Sequence, residues 1–448
     1  MADPAHPVQT DTLTALPMFS PHESLNLNVK RGLLAAVNGN PATAPGLVAI
    51  YDVHADCRHP VLDSTAPVAR FGHESGFSPD GNTFDATATA VQAITAIDVT
   101  NPTTPHALWQ GNIYAHGMSL SDDGNRAYIA DPLGGDMLIL DTSEIQARKP
   151  NPQTWEISRL TWSPSSIPQN AIPFTEHGKP YVLEFDEYTN ATLNPTGNPD
   201  GVGAARIIDI SDETQPRVVS DIRLQVDQPA DHHAAAGDPG TNNPAQGYAA
   251  HYCNIPTRVD PKIVACSFIA SGLRAFDISD VTAPKEIAYF VAPPNPSPEN
   301  GFMASDYAMS QPAFVPERHE IWYSDGVSGF YALRVDPSVW PGNNAPGGQA
   351  AVNGCRDHRH FIVPLLYRRR GRVVIATIYI NGRRVTSRHG HDLRRVDLGH
   401  LPSGTYTVIV KARTSRRITI TSTRRYRGCT QTKRRQRVHT KRHRRHRR

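Results

Sequence analysis

At 448 residues the chain has room for two or three domains, and its net charge of +4 is unevenly spread. Residues 352–448 hold 28 of the 46 Lys and Arg against 3 of the 42 Asp and Glu, a net +25, which leaves −21 on the remainder and points to separate domains with separate partners. No run of 18 apolar residues occurs, which excludes a membrane-spanning helix, and 38 prolines with only 20% charged residues favour short strands and turns over long helices or wholesale disorder.

The opening MADPAHPVQTDTLTALPMFS has neither the basic start nor the apolar stretch of a signal peptide. From Leu47, LVAIYDVHADCRHPVLDS reads as an apolar strand ending in Asp, a Pro-containing turn and a second strand. The phrase returns as ITAIDVTNPTTPHALWQ from Ile94, RIIDISDETQPRVVSDI from Arg206 and LRAFDISDVTAPKEIAYF from Leu273. Degenerate copies stand at MLILDTSEIQ from Met137 and GFYALRVDP from Gly329. The aligned positions Asp52, Asp98, Asp141, Asp209, Asp277 and Ala332 are spaced 46, 43, 68, 68 and 55 residues apart.

Two strands and a tight turn precede the copies. They read HESGFSPDGNTFDAT from His73, AHGMSLSDDGNRAYIAD from Ala115, QNAIPFTEHGKPYVLEFD from Gln169, HYCNIPTRVDPKIVACS from His251 and MSQPAFVPERHEIWYSD from Met309. The Asp-Gly segments at Asp80 and Asp123 lack the alternating ligand pattern of a calcium loop and are turns. Four antiparallel strands recurring at this spacing predict an all-β, six- or seven-bladed β-propeller over 1–340.

These IxIDVSDxxxP-type copies resemble those of LVIVD-repeat proteins, presumed β-propellers that are widespread in bacteria and often carry no assigned activity. The likeness covers residues 1 to about 340. A looser likeness is to selenium-binding-protein-like propellers, which are similar in architecture and use channel histidines; no motif carries residues over from them. Against the repeat, ADPAHPVQTDTLT matches the end of a unit, as in CRHPVLDSTAP, so the chain is expected to begin inside a blade. Either this strand closes the last of six blades, or most of a first blade and a secretion signal precede this sequence. The second is preferred, because Met1 falls where an apolar-Asp-Val run would stand.

Cys253 and Cys266 fall on adjacent predicted strands, and Cys355 and Cys429 bracket the C-terminal domain, so two disulfides and an oxidising compartment are expected, with Cys57 left odd. A Pro/Gly linker, 341–353, leads to strands such as RVVIATIYI and TYTVIVKAR with an Asn381-Gly382 hairpin, read as a small immunoglobulin-like sandwich over 354–430. Residues 431–448 are almost entirely Lys, Arg and His and are expected to be disordered. Without interleaved aromatics this tail suits an anionic envelope polymer or lipid head groups, not specific nucleic acid; folding onto the acidic propeller, or simple solvation, are its alternatives.

Chemistry is sought where each inner strand opens at one mouth of the channel. Those positions are His22, Glu23, His73, Glu74, His116, Gln169, Asn170, His251 and Ser310. Imidazoles and carboxylates converging from different blades are ligands for a divalent transition metal, with His73, His116, His251 and Glu74 as the expected set. The same ring also serves simply as polar channel lining. Long excursions at 187–203, 227–250 and 293–308 open at that mouth, and His232 and His233 in the second offer further ligands. No GxSxG, GxxxxGK, GxGxxG, HExxH or CxxC motif occurs.

The resulting expectation is an exported, monomeric propeller that binds a small molecule or protein and is held near the cell envelope. Its alternative is a metal-dependent oxidoreductase or hydrolase, with Glu74 or Glu23 as ligand or general base.

Overall fold

The computed structural model describes all residues except 1–2, 5, 41, 90, 164–165, 190–200, 236, 239, 242, 244–245, 295–304, 337–339, 341–360, 366–371, 399–403 and 429–448. The chain separates into two compact units, Met1–Gly342 and Asn343–Arg448.

The first unit begins with helix α1 (Leu16–Phe19), and six antiparallel sheets follow in chain order. Sheet 1 is β1 (Asn26–Asn28), β2 (Leu33–Val37), β3 (Gly46–Asp52) and β4 (Val61–Ala69). Sheet 2 is β5 (Ser75–Phe77), β6 (Thr83–Ala86), β7 (Ile94–Asp98) and β8 (His106–Gly111). Sheet 3 is β9 (Met118–Leu120), β10 (Arg126–Asp131), β11 (Asp136–Asp141) and β12 (Trp155–Thr161), with helix α2 (Ser143–Gln146) between its last two strands. Sheet 4 is β13 (Ile167–Glu176), β14 (Lys179–Glu187), β15 (Ala205–Asp209) and β16 (Arg217–Ile222). After helix α3 (Pro229–Ala234), sheet 5 is β17 (Ala250–Asn254), β18 (Ile263–Phe268), β19 (Gly272–Asp277) and β20 (Lys285–Phe290). Sheet 6 has three strands among the described residues, β21 (Ala313–Val315), β22 (Glu320–Asp325) and β23 (Gly329–Arg334).

The repeated Asp has a local task. As each third strand ends, its carboxylate accepts the backbone N–H two residues on: Asp52 from His54 at 2.6 Å, Asp98 from Thr100 at 2.8 Å, and Asp141, Asp209 and Asp277 from Ser143, Ser211 and Ser279 at 2.9 Å each. These Asx turns release the chain from the strand and start the loop to the fourth strand. At the sixth position Ala332 has no carboxylate, and the strand runs on to Arg334.

Apolar layers between neighbouring sheets form the core. Ile50 and Val37 meet Phe84 and Ile97, Ile139 and Met137 meet Val182 and Ile208, and Phe185 and Leu183 meet Phe268 and Tyr252. The Cys253–Cys266 disulfide lies in the last of these layers, on paired positions of β17 and β18.

The less favoured alternative, an N-terminal strand closing the last blade, is not found: the described residues before α1 form no strand and β23 gains no fourth partner among them. Instead, α1 lies against β2 and β3 on the face that alternation turns away from sheet 2, and the Ala15 amide donates to the Tyr51 hydroxyl at 3.2 Å. Pro17 at the start of the LPMF segment suits a helix and cannot serve a sheet interior.

In the second unit β24 (Phe361–Pro364) pairs with β27 (Arg395–Leu398). The other sheet has the order β26 (Arg383–His389), β25 (Val373–Ile380), β28 (Gly404–Thr414), β29 (Thr419–Gly428). Asn381 and Gly382, at φ 48° and 80°, turn the β25–β26 hairpin as their dipeptide predicts. Ala376, Ile378, Val408 and Val410 face Leu365, Val396 and Leu398 in a small core. Cys355, Cys429, the 341–353 linker and the 431–448 tail lie outside the described residues.

Candidate metal centre at the channel mouth

In the first three sheets a short segment before the inner strand holds the polar residues of the mouth, His22 and Glu23, His73 and Glu74, and His116, whereas Gln169, Asn170 and His251 lie near the start of the inner strands β13 and β17 themselves. The segments before β1 and β5 touch through a parallel bridge between Glu23 and Glu74. Thr87 bonds the carbonyls of both Glu74, at 3.2 Å, and His116, at 2.5 Å, which sets the second and third segments side by side. Gly117 permits this approach, because a Cβ there would lie 2.2 Å from the Glu74 carboxylate.

Eight of the nine expected positions come together in one cluster. The Glu23 carboxylate is central: His73 Nε2 lies 3.1 Å away, His251 Nε2 3.3 Å, His22 Nδ1 3.5 Å and His116 Nε2 3.7 Å. Gln169 donates to Glu23 at 3.2 Å and its amide nitrogen is 3.1 Å from His251 Nε2. Asn170 donates to the Glu74 carboxylate. Ser310, the ninth, lines the same cavity, but its hydroxyl accepts the Ser324 amide at 2.7 Å and its carbonyl accepts the Ser267 hydroxyl at 2.7 Å, so it ties sheet 5 to sheet 6.

Two further groups complete the centre. Glu187, at the end of β14, places one carboxylate oxygen 2.9 Å from His116 Nε2 and the other 3.1 Å from His251 Nε2. The Met309 carbonyl lies 2.5 Å from His251 Nδ1. The acidic run of EFDEYTN at the end of a strand was a signal for Glu187, whereas a backbone carbonyl leaves none. His232 and His233 ride on α3 and stay outside this cluster, His232 Nε2 lying 3.1 Å from the Thr241 carbonyl of its own loop.

Charge in the cluster is tightly coupled. Burial disfavours the ionised Glu187, yet hydrogen bonds from His116 and His251 outweigh it and hold the carboxyl at about 2. Burial likewise opposes a charged His251, but its bonds to Glu187 and Glu23 raise it to about 10, and His116 is raised well above the usual imidazole value in the same way. Glu23 is held well below the ordinary carboxylate range by His251 and His73 in spite of its burial. Glu74, in contrast, is raised, because burial, joined by the nearby Glu23 charge, exceeds the lowering effect of His116. His22 is lowered, chiefly by burial.

Donor atoms of His22, Glu23 and His73 lie within 4.8 Å of one another, and so do those of Glu23, Glu74 and His116. Glu23 Oε2 and His73 Nε2 are buried with no hydrogen-bond partner of proper geometry among the described residues. A cavity of about 740 Å³ opens on the centre, lined by His22, Glu23, Glu74 and His251 and also by apolar Phe77 and Met118.

No family model and no curated protein matches the chain. Among solved structures it is similar to the periplasmic gluconolactonase of Pseudomonas aeruginosa, at 13% identity and a TM-score of 0.51 over 71% of this chain and 82% of that one. This chain has the fold of a β-propeller. Less similar are Sqt1 of Saccharomyces cerevisiae, at 8% identity and TM-score 0.44 over 89% of this chain and 95% of that one, and the Swd1 β-propeller domain of Myceliophteria thermophila, at 12%, 0.39, 71% and 98%.

Proposed function

We propose that the channel mouth holds one divalent transition metal and that the protein is an exported, metal-dependent enzyme of the LVIVD-repeat type. The orientation of His251 and His116 carries this reading. A carbonyl oxygen only accepts, so His251 Nδ1, facing Met309, carries the hydrogen; Nε2 of a neutral ring then points a lone pair at the carboxylates of Glu187 and Glu23. His116 repeats the arrangement, with Nδ1 3.2 Å from Glu74 and Nε2 toward Glu187. Lone pair facing carboxylate is repulsive unless a cation stands between them, whether a proton or a metal ion. An imidazole whose outer nitrogen is tied to a carboxylate or carbonyl while the inner one is presented to a shared point is the usual environment of a metal-bound histidine.

In this reading the Nε2 atoms of His73, His116 and His251 and the carboxylates of Glu23 and Glu187 are the donor set, and Glu74 and the Met309 carbonyl orient the rings. A metal held there supplies Lewis-acid activation of a bound oxygen or, if redox-active, electron transfer. The open cavity favours a catalytic over a closed structural site. Glu23, with four imidazoles around its carboxylate, can hold a proton or a ligand bond. The Cys253–Cys266 disulfide supports export.

Metal analysis of protein purified without a histidine tag tests the proposal. About one equivalent of metal is expected, lost in the His116→Ala/His251→Ala variant. Metal-free protein that also fails to take up Zn²⁺ or Cu²⁺ would overturn it and leave a closed ion-pair network suited to a binding or scaffold role.

A further inference from the structure

The second unit is strongly basic. Residues 352–430 hold 18 Lys and Arg and 3 Asp, a net +15 before the tail is counted. Strand register sorts their side chains. Ala376, Ile378, Val408 and Val410 face the core, so the alternate residues of β25 and β28 form the outer face. Pairing arranges that face in rows: Arg384 beside Tyr379 beside Ile409, then Ser387 beside Thr377 beside Lys411, then His389 beside Ile375 beside Arg413.

Each row therefore carries one strong cation. Arg384, Lys411 and Arg413 are exposed, and none of the three stands opposite a carboxylate on this face. Thr377 and Ser387 hydroxyls lie 3.0 Å apart between the cations. Lys411 stands 5.4 Å over the Tyr379 ring, which with half-buried Ile409 forms an apolar strip at the centre of the face. Successive outward residues of a strand are roughly 6 to 7 Å apart and neighbouring strands about 4.8 Å, so the cations form a grid on the scale of a chain of phosphates.

We propose that this outer face docks an extended poly(glycerol phosphate) chain, its phosphates on Arg384, Lys411 and Arg413 and its glycerol carbons on Tyr379 and Ile409. Charge complementarity selects a polyanion, and the apolar strip distinguishes one with carbon between the phosphates. A single aromatic gives no stacking platform for successive bases, which sets nucleic acid behind it. The docking surface belongs to the folded sheet and is separate from residues 431–448.

The test uses the full chain and measures its affinity for soluble poly(glycerol phosphate) over a salt series. Deleting 431–448 is expected to leave most of the binding. The Arg384→Gln/Lys411→Gln/Arg413→Gln variant is expected to weaken it about tenfold or more and to reduce the slope of log affinity against log salt by about 2, three contacts at roughly 0.7 each. Three exposed side chains are changed, so thermal unfolding should be unaltered and reports any loss of fold. A charge-matched control, Arg383→Gln/Arg388→Gln/Arg394→Gln, should bind nearly as well as the parent. Equal weakening by the control, binding that depends on the tail alone, or equally tight binding of a single-stranded oligonucleotide would each overturn the proposal.

Discussion

Removing Arg206 from sheet 4 should destabilise the propeller in a pH-dependent way. Its guanidinium is 1% exposed and bonds Asp186 through two nitrogens, at 2.9 and 2.7 Å, while also bonding Glu184 and lying 4.2 Å over the Trp162 ring. Both carboxyls are fully buried. Burial pushes the Glu184 carboxyl well above its ordinary range despite Arg206, which favours its neutral form and leaves the bidentate Asp186–Arg206 contact as the ion pair of this core. In Arg206→Met the Asp186 charge is left without a counter-ion, a change that typically costs about 3 to 5 kcal/mol. For the 342 residues of the first unit, with an unfolding entropy of roughly 2.1 cal/mol/K per residue, about 4 kcal/mol lowers Tm by about 5 to 6 °C. Without the guanidinium, which opposes the effect of burial, the Glu184 carboxyl rises further, and a raised carboxyl costs stability only where it must ionise, so the loss should be largest near pH 8 and smaller near pH 5. Scanning calorimetry at the two pH values measures this, and adding Asp186→Leu should recover at least half of the loss. A deficit below about 1 kcal/mol at pH 8, or one independent of pH, would refute the assignment of a charged pair to this core.

Two other predictions concern carboxylates with opposite duties. Asp227 is 1% exposed, neither carboxylate oxygen has a hydrogen-bond partner among the described residues, and burial raises it to about 7. An acid whose folded value is raised binds its proton more tightly when folded, so its cost to stability is absent below about pH 4, grows as pH rises through 7 and is complete above; Asp227→Asn should therefore stabilise the protein by about 2 to 4 kcal/mol at pH 8 and leave it nearly unchanged at pH 4, read by urea unfolding. Asp98, in contrast, is held below its usual value, by the Thr100 bonds and Arg148 against modest burial, so Asp98→Ala should cost about 1 kcal/mol at neutral pH and less in acid; a stability unchanged at pH 7 would show that the Asx turn is dispensable.

Much of the fold is legible in the chain because its rules are local. The Asp-Gly turns after Ser78 and Ser121 and the strand-ending Asp residues act within two to five residues, through hydrogen bonds to near neighbours in the chain. The inner-strand openings were equally readable once the repeat was in register, since a propeller turns equivalent positions to one axis. Glu187 was harder because it closes a second strand, at a position that the other blades do not use for chemistry. Met309 contributes only backbone. The N-terminal segment misled because its resemblance to a repeat end is one of composition, prolines and alternating apolar residues, whereas Pro17 and the apolar face of sheet 1 decide its fate locally.

The dispersal of the channel donors also orders events in time. The donors enter the chain from Glu23 to His251, on segments belonging to five successive sheets, and Met309 follows from a sixth. A growing polypeptide emerging amino-end first thus displays imidazoles and carboxylates singly, and the complete donor set exists only after the fifth sheet has docked. In the proposed metal site, selection of the ion would thereby be deferred to the finished molecule.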